Sequence, residues 1–276
     1  RDFYELFYDD AVVASKALEL TLTSRNKGAA DEIPMAGVPH HAASGDIQRL
    51  LEQGFTVAIC EQMADPSKVK GIVPREVVRV VTPSFVYDDA GIRARENSFL
   101  VAVAKGESAY GVAALDLSTG ELIACEAPDE LTAISEVVRL EPRELLVSAN
   151  EASIAERAKL LRSRISVRTE QAGEAEALAA LEQTLGKGEA EKSCSSAIAR
   201  LAAARSILLA CACEPGKELP VPRLVPYSLG DVLALDEATQ RHLELVSTLD
   251  GESRGALLTQ IDETCTAAGA RLLRRR

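Results

Sequence analysis

Hydrophobic and polar positions alternate with different rhythms along the chain, and each rhythm predicts an element. In DDAVVASKALEL the apolar residues recur every three or four positions, with Ala11, Ala14 and Leu18 on one stripe, which predicts an amphipathic helix. SGDIQRLLEQG repeats that rhythm over a shorter span, with Ser44 placed as N-cap and Gly54 as the stop. FTVAICEQM and VVRVVTPSFVY are dense in β-branched residues and predict strands. Between the two helices, TLTSRNKGAADEIPMAGVPHH mixes Gly, Pro and polar residues without a period and predicts a loop. Residues 1–88 thus form one mixed α/β unit by expectation.

The rhythm breaks at Pro83, Asp88, Asp89 and Gly91, so 89–96 are expected as a linker. Beyond it, SFLVAVAKGESAYGVAALDLSTGELIACEA sets apolar runs between KGES and STGE, the pattern of an antiparallel meander. DELTAISEVVRLEP predicts a capped helix stopped by Pro142, and RELLVSA a buried strand. ISVRTEQAGEAEALAALEQTL and SSAIARLAAARSILLACA are expected as helices. Strands followed by helix, strand and helices predict a second α/β unit over 97–218, a sheet covered on both faces. From 219 to 276 the expectation is a rigid connection at Pro220, Pro222 and Pro226, then helices over DEATQRHLELVSTL and RGALLTQIDETCTAAGARLLRRR. The chain opens on Arg1 and closes inside a helical pattern, so a piece of something longer is expected.

Composition narrows the function classes. With 47% hydrophobic and 26% charged residues the chain is globular rather than disordered. A net charge of -11 and a pI near 5.0 count against a dedicated nucleic-acid binder, whose domains show a basic excess. Net charge averages over faces, however, and a local group of Arg and Lys can still meet phosphates. The six cysteines lie scattered in apolar stretches with no CxxC pair, and the three histidines stand at no ligand spacing from them. Buried reduced thiols in a cytoplasmic protein are the expectation, and zinc is not. No apolar run approaches the roughly 20 residues of a membrane span, and no signal-peptide pattern opens the chain.

Candidate catalytic patterns are thin. LGKGEAEKS ends in Lys-Ser below glycines, but Glu191 stands where a P-loop needs the glycine that lets backbone amides cradle phosphate. Asp116 could open a metal-dependent nuclease site with Glu121, Glu136 and Glu144, or simply form a hairpin turn. His40 and His41 have no nucleophile nearby and read as a loop that caps a helix. No catalytic constellation emerges.

One cluster stands out: RDFYELFYDD holds four of the chain's ten Phe and Tyr. By alternation alone these are core side chains of a short strand, Phe3 and Phe7 on a different face from Tyr4 and Tyr8. DFYELFYDDA, the IPMAGVPHHA loop, VAICEQMADP and the VVRVVTP strand, in that order, resemble the N-terminal part of the bacterial MutS family of DNA mismatch-recognition proteins. YGVAALDLSTGE is similar to that family's connector domain, and LDEATQRHLEL with LLTQIDETCTAAGARLLRR resembles the beginning of its helical core and lever. Between about 149 and 218 the match is only an Ala-rich helical texture.

The resemblance implies a mixed-sheet mismatch-recognition domain (1–88), a linker (89–96), a ribonuclease-H-like connector (97–218) and a truncated all-helical segment (219–276). It implies that Phe3 enters the minor groove at a mispair, that Glu5 bonds the mispaired base, and that Met35 lies close to the DNA. Arg25, Lys27, Arg75 and Arg79 are the candidate phosphate contacts. Tyr4, Phe7 and Tyr8 remain expected in the core. The implied partners are mismatched duplex DNA, a MutL-type protein and, in the full-length family, a second copy of the chain. ATP and Mg belong to the full-length family, and no cofactor and no catalysis are expected of these residues. Arg1 stands where the family usually has Gly, and His242 where it usually has Asn. A second expectation is a protein-interaction module whose connector meets a MutL-type partner. A third is a nuclease built on Asp116.

Overall fold

A computed structural model describes residues 3–28, 32–64, 71, 73–85, 97–161, 165–231, 239 and 242–275. The chain divides into two compact units, Arg1–Ile92 and Arg93–Arg276. Arg1, the expected linker 89–96 and most of 232–241 lie outside the described residues.

In the first unit, strand β1 (Phe3–Phe7) leads directly into helix α1 (Tyr8–Leu18), followed by β2 (Thr23–Arg25), β3 (Ile33–Pro39), α2 (Ala43–Glu52), β4 (Val57–Gln62) and β5 (Arg75–Val81). The strands form an antiparallel sheet in the order β1-β3-β2 and a separate two-stranded ribbon, β4-β5. Helix α1 buries Ala11, Ala14 and Leu18, the stripe its sequence carries. A small core of Leu18, Val38, Ala43 and Leu50 joins both helices to the sheet, with Tyr4, Leu6 and Val57 packed on it.

Two expectations are corrected here. The segment read as one loop contains β2 and the seven-residue β3, the central strand of its sheet. Its alternation is hidden by Pro34, Gly37 and Pro39; the prolines sit near the strand's ends, where a missing N–H costs little. Ser44 is not the cap of α2: the helix begins at Ala43, fed by a tight 3-10 turn at His40–Ala42.

The second unit is built on a six-stranded sheet. Strands β6 (Leu100–Lys105), β7 (Tyr110–Asp116) and β8 (Glu121–Ala127) form the expected meander. Strand β9 (Glu144–Val147) runs parallel to β6, β10 (Ser166–Thr169) parallel to β9, and β11 (Leu224–Pro226) parallel to β8. The spatial order is β10-β9-β6-β7-β8-β11. Helix α3 (Glu130–Arg139), capped by the Asp129 carboxylate on the Thr132 N–H, and α4 (Ala152–Leu161) cover one face. Val101, Val103, Val112, Ile123, Leu145 and Val147 pack beneath them. Helices α5 (Glu174–Leu185) and α7 (Ala197–Cys213), with the short α6 (Glu189–Ser193) between them, complete the helical set around the sheet.

Close approach of α7 depends on a missing side chain. A Cβ on Gly111 would lie 2.1 Å from the Ile198 carbonyl oxygen, so only glycine admits the helix there. Gly120, at φ +71°, plays the same part in the β7–β8 turn, where a Cβ would meet the Pro220 carbonyl oxygen at 2.0 Å. Buried across this helix–sheet contact, Arg205 of α7 donates to the Val103 carbonyl at 2.6 Å and meets Glu151 at 3.3 Å. Glu151 also accepts from the Lys105 N–H at 2.8 Å and from Ser148. Burial pushes the Glu151 carboxyl up, but the Ser148, Lys105 and Arg205 donors outweigh it and hold it below its usual range.

Four further expectations change. ISVRT is not helical: Ser166–Thr169, with β-branched Val167 and Thr169, pairs as strand β10, and the helix starts only at Glu174. The proline-rich connection carries strand β11, three residues long at the sheet edge, where Pro226 disturbs no second ladder. The final helix is two, α8 (Leu257–Ile261) and α9 (Ala267–Arg275), with Asp262 and Glu263 outside both. Asp262 breaks the run by drawing the Thr264 N–H and hydroxyl to its own carboxylate. Residues 243–249, expected as helix, run through turns and bends.

Candidate functional site

The β1-β3-β2 sheet has two unlike faces. Residues directly paired across an antiparallel ladder point the same way. Phe3 pairs with Pro39, Glu5 with Gly37, Phe7 with Met35, Met35 with Thr23, and Ile33 with Arg25. One face therefore presents Phe3, Glu5, Phe7, Met35, Thr23 and Arg25 together. The other presents Tyr4, Leu6, Ala36 and Val38 to the core.

Phe3 is 60% exposed, which forgoes much of the roughly 1.5–3 kcal/mol that burial of such a side chain gives. Its ring lies by Gly37, where a Cβ would stand 3.4 Å from Cδ1, at van der Waals contact. Glu5 is also exposed, and Phe7 and Met35 are half-buried. Exposed apolar and acidic groups side by side on a flat sheet make a surface suited to stacking and to hydrogen bonding with a flat polar partner.

Tyr4 is half-buried, as expected of a core residue. Its hydroxyl donates to Glu61 Oε1 at 2.7 Å, and its ring stacks on His40 at 5.5 Å and 17°. His40 closes this stack at the entry to α2 instead of capping the helix with its side chain. Phe7 lies on the solvated face rather than in the core. Tyr8 is 63% exposed: φ of +54° at the strand-to-helix junction turns its ring out to solvent.

The candidate basic residues are not brought to one place. Arg25 ends β2 on the Phe3 face and is exposed. Lys27 is exposed in the turn that follows. That turn is shaped by Glu32, whose carboxylate accepts the Gly28 N–H at 3.1 Å and is held low by Ser24 and Gly28. Arg75 and Arg79 stand on the other sheet. A β-bulge shifts the register between Ile59 and Cys60, so Arg75 pairs with Gln62 while Arg79 pairs with Ile59. The shift puts the two arginines on opposite faces of the ribbon, Arg75 exposed and Arg79 half-buried on the side of Val57 and Glu61.

The candidate carboxylates of the second unit are each engaged in hydrogen bonds or ion pairs. Asp116 is buried and accepts from Asn97 at 3.2 Å, from the Ser98 N–H at 3.1 Å, and from the Ser118 N–H and hydroxyl at 2.9 and 2.6 Å. It orders the hairpin turn. Glu121 shares the Asn97 amide at 3.4 Å. Glu136 binds Arg139 and Tyr227, and Glu144 binds Arg168 at 3.0 Å. Among the described residues no group of three or more His, Cys, Asp and Glu could hold a metal ion. The Lys-Ser segment does not fit nucleotide phosphates either: Lys192 pairs with Glu189 at 2.6 Å, within a helix of five residues. No helix among the described residues is long and apolar enough to cross a membrane.

Sequence reasoning placed Phe7 on the Phe3 side of the strand by alternation, but missed Thr23 and Gly37 as parts of that face. Their membership depends on β3 being a strand, and the prolines concealed it.

Comparison with known proteins agrees with the sequence resemblance. Residues 1–90 match the family model of MutS domain I, and residues 98–208 that of MutS domain II. A DNA mismatch repair protein MutS of Sorangium cellulosum is 47% identical over the whole chain, which spans 31% of that protein. Proteins of the same name from an Anaeromyxobacter species and Myxococcus xanthus are 43% and 41% identical over 99% of the chain, covering 31% and 32% of their lengths. The chain thus spans about a third of the curated relatives it matches.

Proposed function

Because this chain belongs to the MutS family of DNA mismatch repair proteins, we propose that its first unit recognises base mismatches and small unpaired loops in duplex DNA through the Phe3 face. The observation that carries this reading is the placement of an exposed Phe3 and an exposed Glu5 side by side, backed by Gly37, on a sheet whose other face is core.

Phe3 enters the minor groove and stacks on the mispaired base, kinking the duplex. A mispair is already poorly stacked, so the deformation costs a few kcal/mol less there than in paired DNA. That difference selects mismatches without reading sequence. Glu5 faces a polyanion, which is unfavourable unless a base edge donates to it. In paired DNA it stays unpartnered and acts against binding. Met35 and Phe7 extend the apolar floor. Arg25 and Lys27 position the duplex through phosphates; Arg75, and Arg79 less directly, do so from the ribbon.

We assign residues 1–88 to the mismatch-recognition domain and 97–218 to the connector. The order β8-β7-β6-β9-β10, three antiparallel strands followed by two parallel ones, supports a ribonuclease-H-like connector. Residues 219–276 are assigned to the start of the helical core. The connector is the surface for a MutL-type partner. Pairing with a second copy, and ATP and Mg chemistry, are properties of the full-length family; the described residues carry no ATP step and no catalysis. A cytoplasmic setting fits the free cysteines.

The test is titration of this chain with a short duplex carrying one G·T mismatch and with its fully paired counterpart, from low to moderate salt. Tighter binding of the mismatch that weakens as salt rises supports the reading, since phosphate contacts release counterions. Equal affinity for both duplexes at every salt concentration overturns it and leaves the interaction-module reading.

A further inference from the structure

We propose that Tyr4 is a positioning residue for this reading face, its hydrogen bond to Glu61 tying the strand that carries Phe3 and Glu5 to the β4-β5 ribbon. The inference rests on the mismatch reading of that face.

Strand β1 is short and lies at a sheet edge, laddered to β3 on one side only. Phe3 sits at its first described position, where an edge strand is most easily tilted. When an aromatic ring enters a duplex, the cost of unstacking returns as a load on the strand that bears it. A strand held by one ladder yields to that load. The ring then withdraws and the base stays stacked, while phosphate contacts made elsewhere persist.

Tyr4 is placed to resist. It lies between Phe3 and Glu5 in sequence, so its side chain leaves the strand on the opposite face. The ring packs against the core of Leu18, Val38, Ala43 and Leu50 and stacks on His40. Its hydroxyl then reaches Glu61 Oε1 at 2.7 Å, 57 residues away and in another sheet. The register of the ribbon puts Glu61 on the same side as Val57, which packs on that core as well. Phenylalanine would fill the same apolar space without a polar group to satisfy. The hydroxyl and its distant acceptor therefore add a directional constraint that packing alone does not supply.

The experiment measures mismatch preference, the ratio of paired to G·T dissociation constants, together with the melting temperature. The chains compared are wild type, Phe3→Ala, Tyr4→Phe, Glu61→Ala, Glu61→Gln and the Tyr4→Phe/Glu61→Ala double variant. The preference is expected to fall about three- to tenfold in Tyr4→Phe and in Glu61→Ala, with no further loss in the double variant. Glu61→Gln, whose amide oxygen still accepts the hydroxyl, restores it. Affinity for the paired duplex stays at the wild-type value in the Tyr4 and Glu61 variants.

Full wild-type preference in Tyr4→Phe, while Phe3→Ala loses it, overturns the positioning role and leaves the mismatch reading intact. Equal weakening of both duplexes in Tyr4→Phe also overturns it, because that is what a merely structural residue would do. No preference in the wild-type chain overturns the mismatch reading, and this inference with it.

Discussion

The two larger sheets among the described residues solve opposite problems. The six-stranded sheet of the second unit is buried on both faces, and Leu100, Val101, Ala102, Val103 and Ala104 of β6 are all fully shielded from solvent. The three-stranded sheet of the first unit buries one face and leaves the other in water, so Phe3 and Glu5 are exposed while Ala36 and Val38 are not. A sheet covered on both sides can be a rigid platform but has no face free for a ligand. A half-covered sheet gives up hydrophobic stabilisation and gains a flat surface on which side chains stand at fixed spacing. Reading is therefore expected of the first unit and support of the second, and substitutions should separate the two.

The largest effect is expected where the platform is tightest. Gly111→Ala places a methyl group against the Ile198 carbonyl, so α7 must lift from the sheet. A loss of about 4 kcal/mol or more is expected by denaturant unfolding, in the range reserved for steric failure in a core. An unchanged midpoint would show that the platform is looser than its geometry.

Next in size is the buried ion pair. Arg205→Ala leaves the Glu151 carboxylate buried with its cation gone, an effect of about 3–5 kcal/mol. The same carboxylate makes the second unit acid-sensitive. Its folded pKa lies below the ordinary carboxylate value, so its stabilisation is present above that value and is lost as pH falls through the folded one. Glu151→Gln should flatten the fall of stability below about pH 4.3, read from urea midpoints across pH.

Smaller, and a matter of rate rather than stability, is thiol reactivity. Burial pushes the Cys125 and Cys213 thiols up to about 12 and raises that of Cys194, whereas Cys60 and Cys265 are exposed. At pH 8 a thiol reagent should modify Cys60 and Cys265 promptly, and the three buried thiols only after denaturation. Early reaction at Cys125 or Cys213 would mean the platform opens more readily than its burial implies.

The same contrast explains what was legible in the sequence. The doubly buried strands announce themselves as continuous apolar runs, LVAVA in β6 and LIAC in β8, because both covering faces demand hydrophobic side chains. Helix α1 was equally plain, since its buried stripe has a helical period. The half-buried sheet was harder. Pro34, Gly37 and Pro39 gave β3 the composition of a loop, although all three lie within the strand. Segment 165–185 changes period midway, and the helical half masked the four-residue β10. Phe3 and Glu5 came from family resemblance. What residues alone could not give was the register that puts them on one face with Met35 and Arg25, or the bulge that parts Arg75 from Arg79. Both are properties of pairing between distant segments, and no local pattern encodes them.

The most direct test of this division of labour is one variant assayed two ways. Phe3→Ala should leave stability within about 0.5 kcal/mol of wild type, since the ring is mostly in solvent, and should abolish the preference for a G·T duplex over its paired counterpart. Preference kept in a normally stable Phe3→Ala would contradict the account, because the exposed ring would then have no part in recognition.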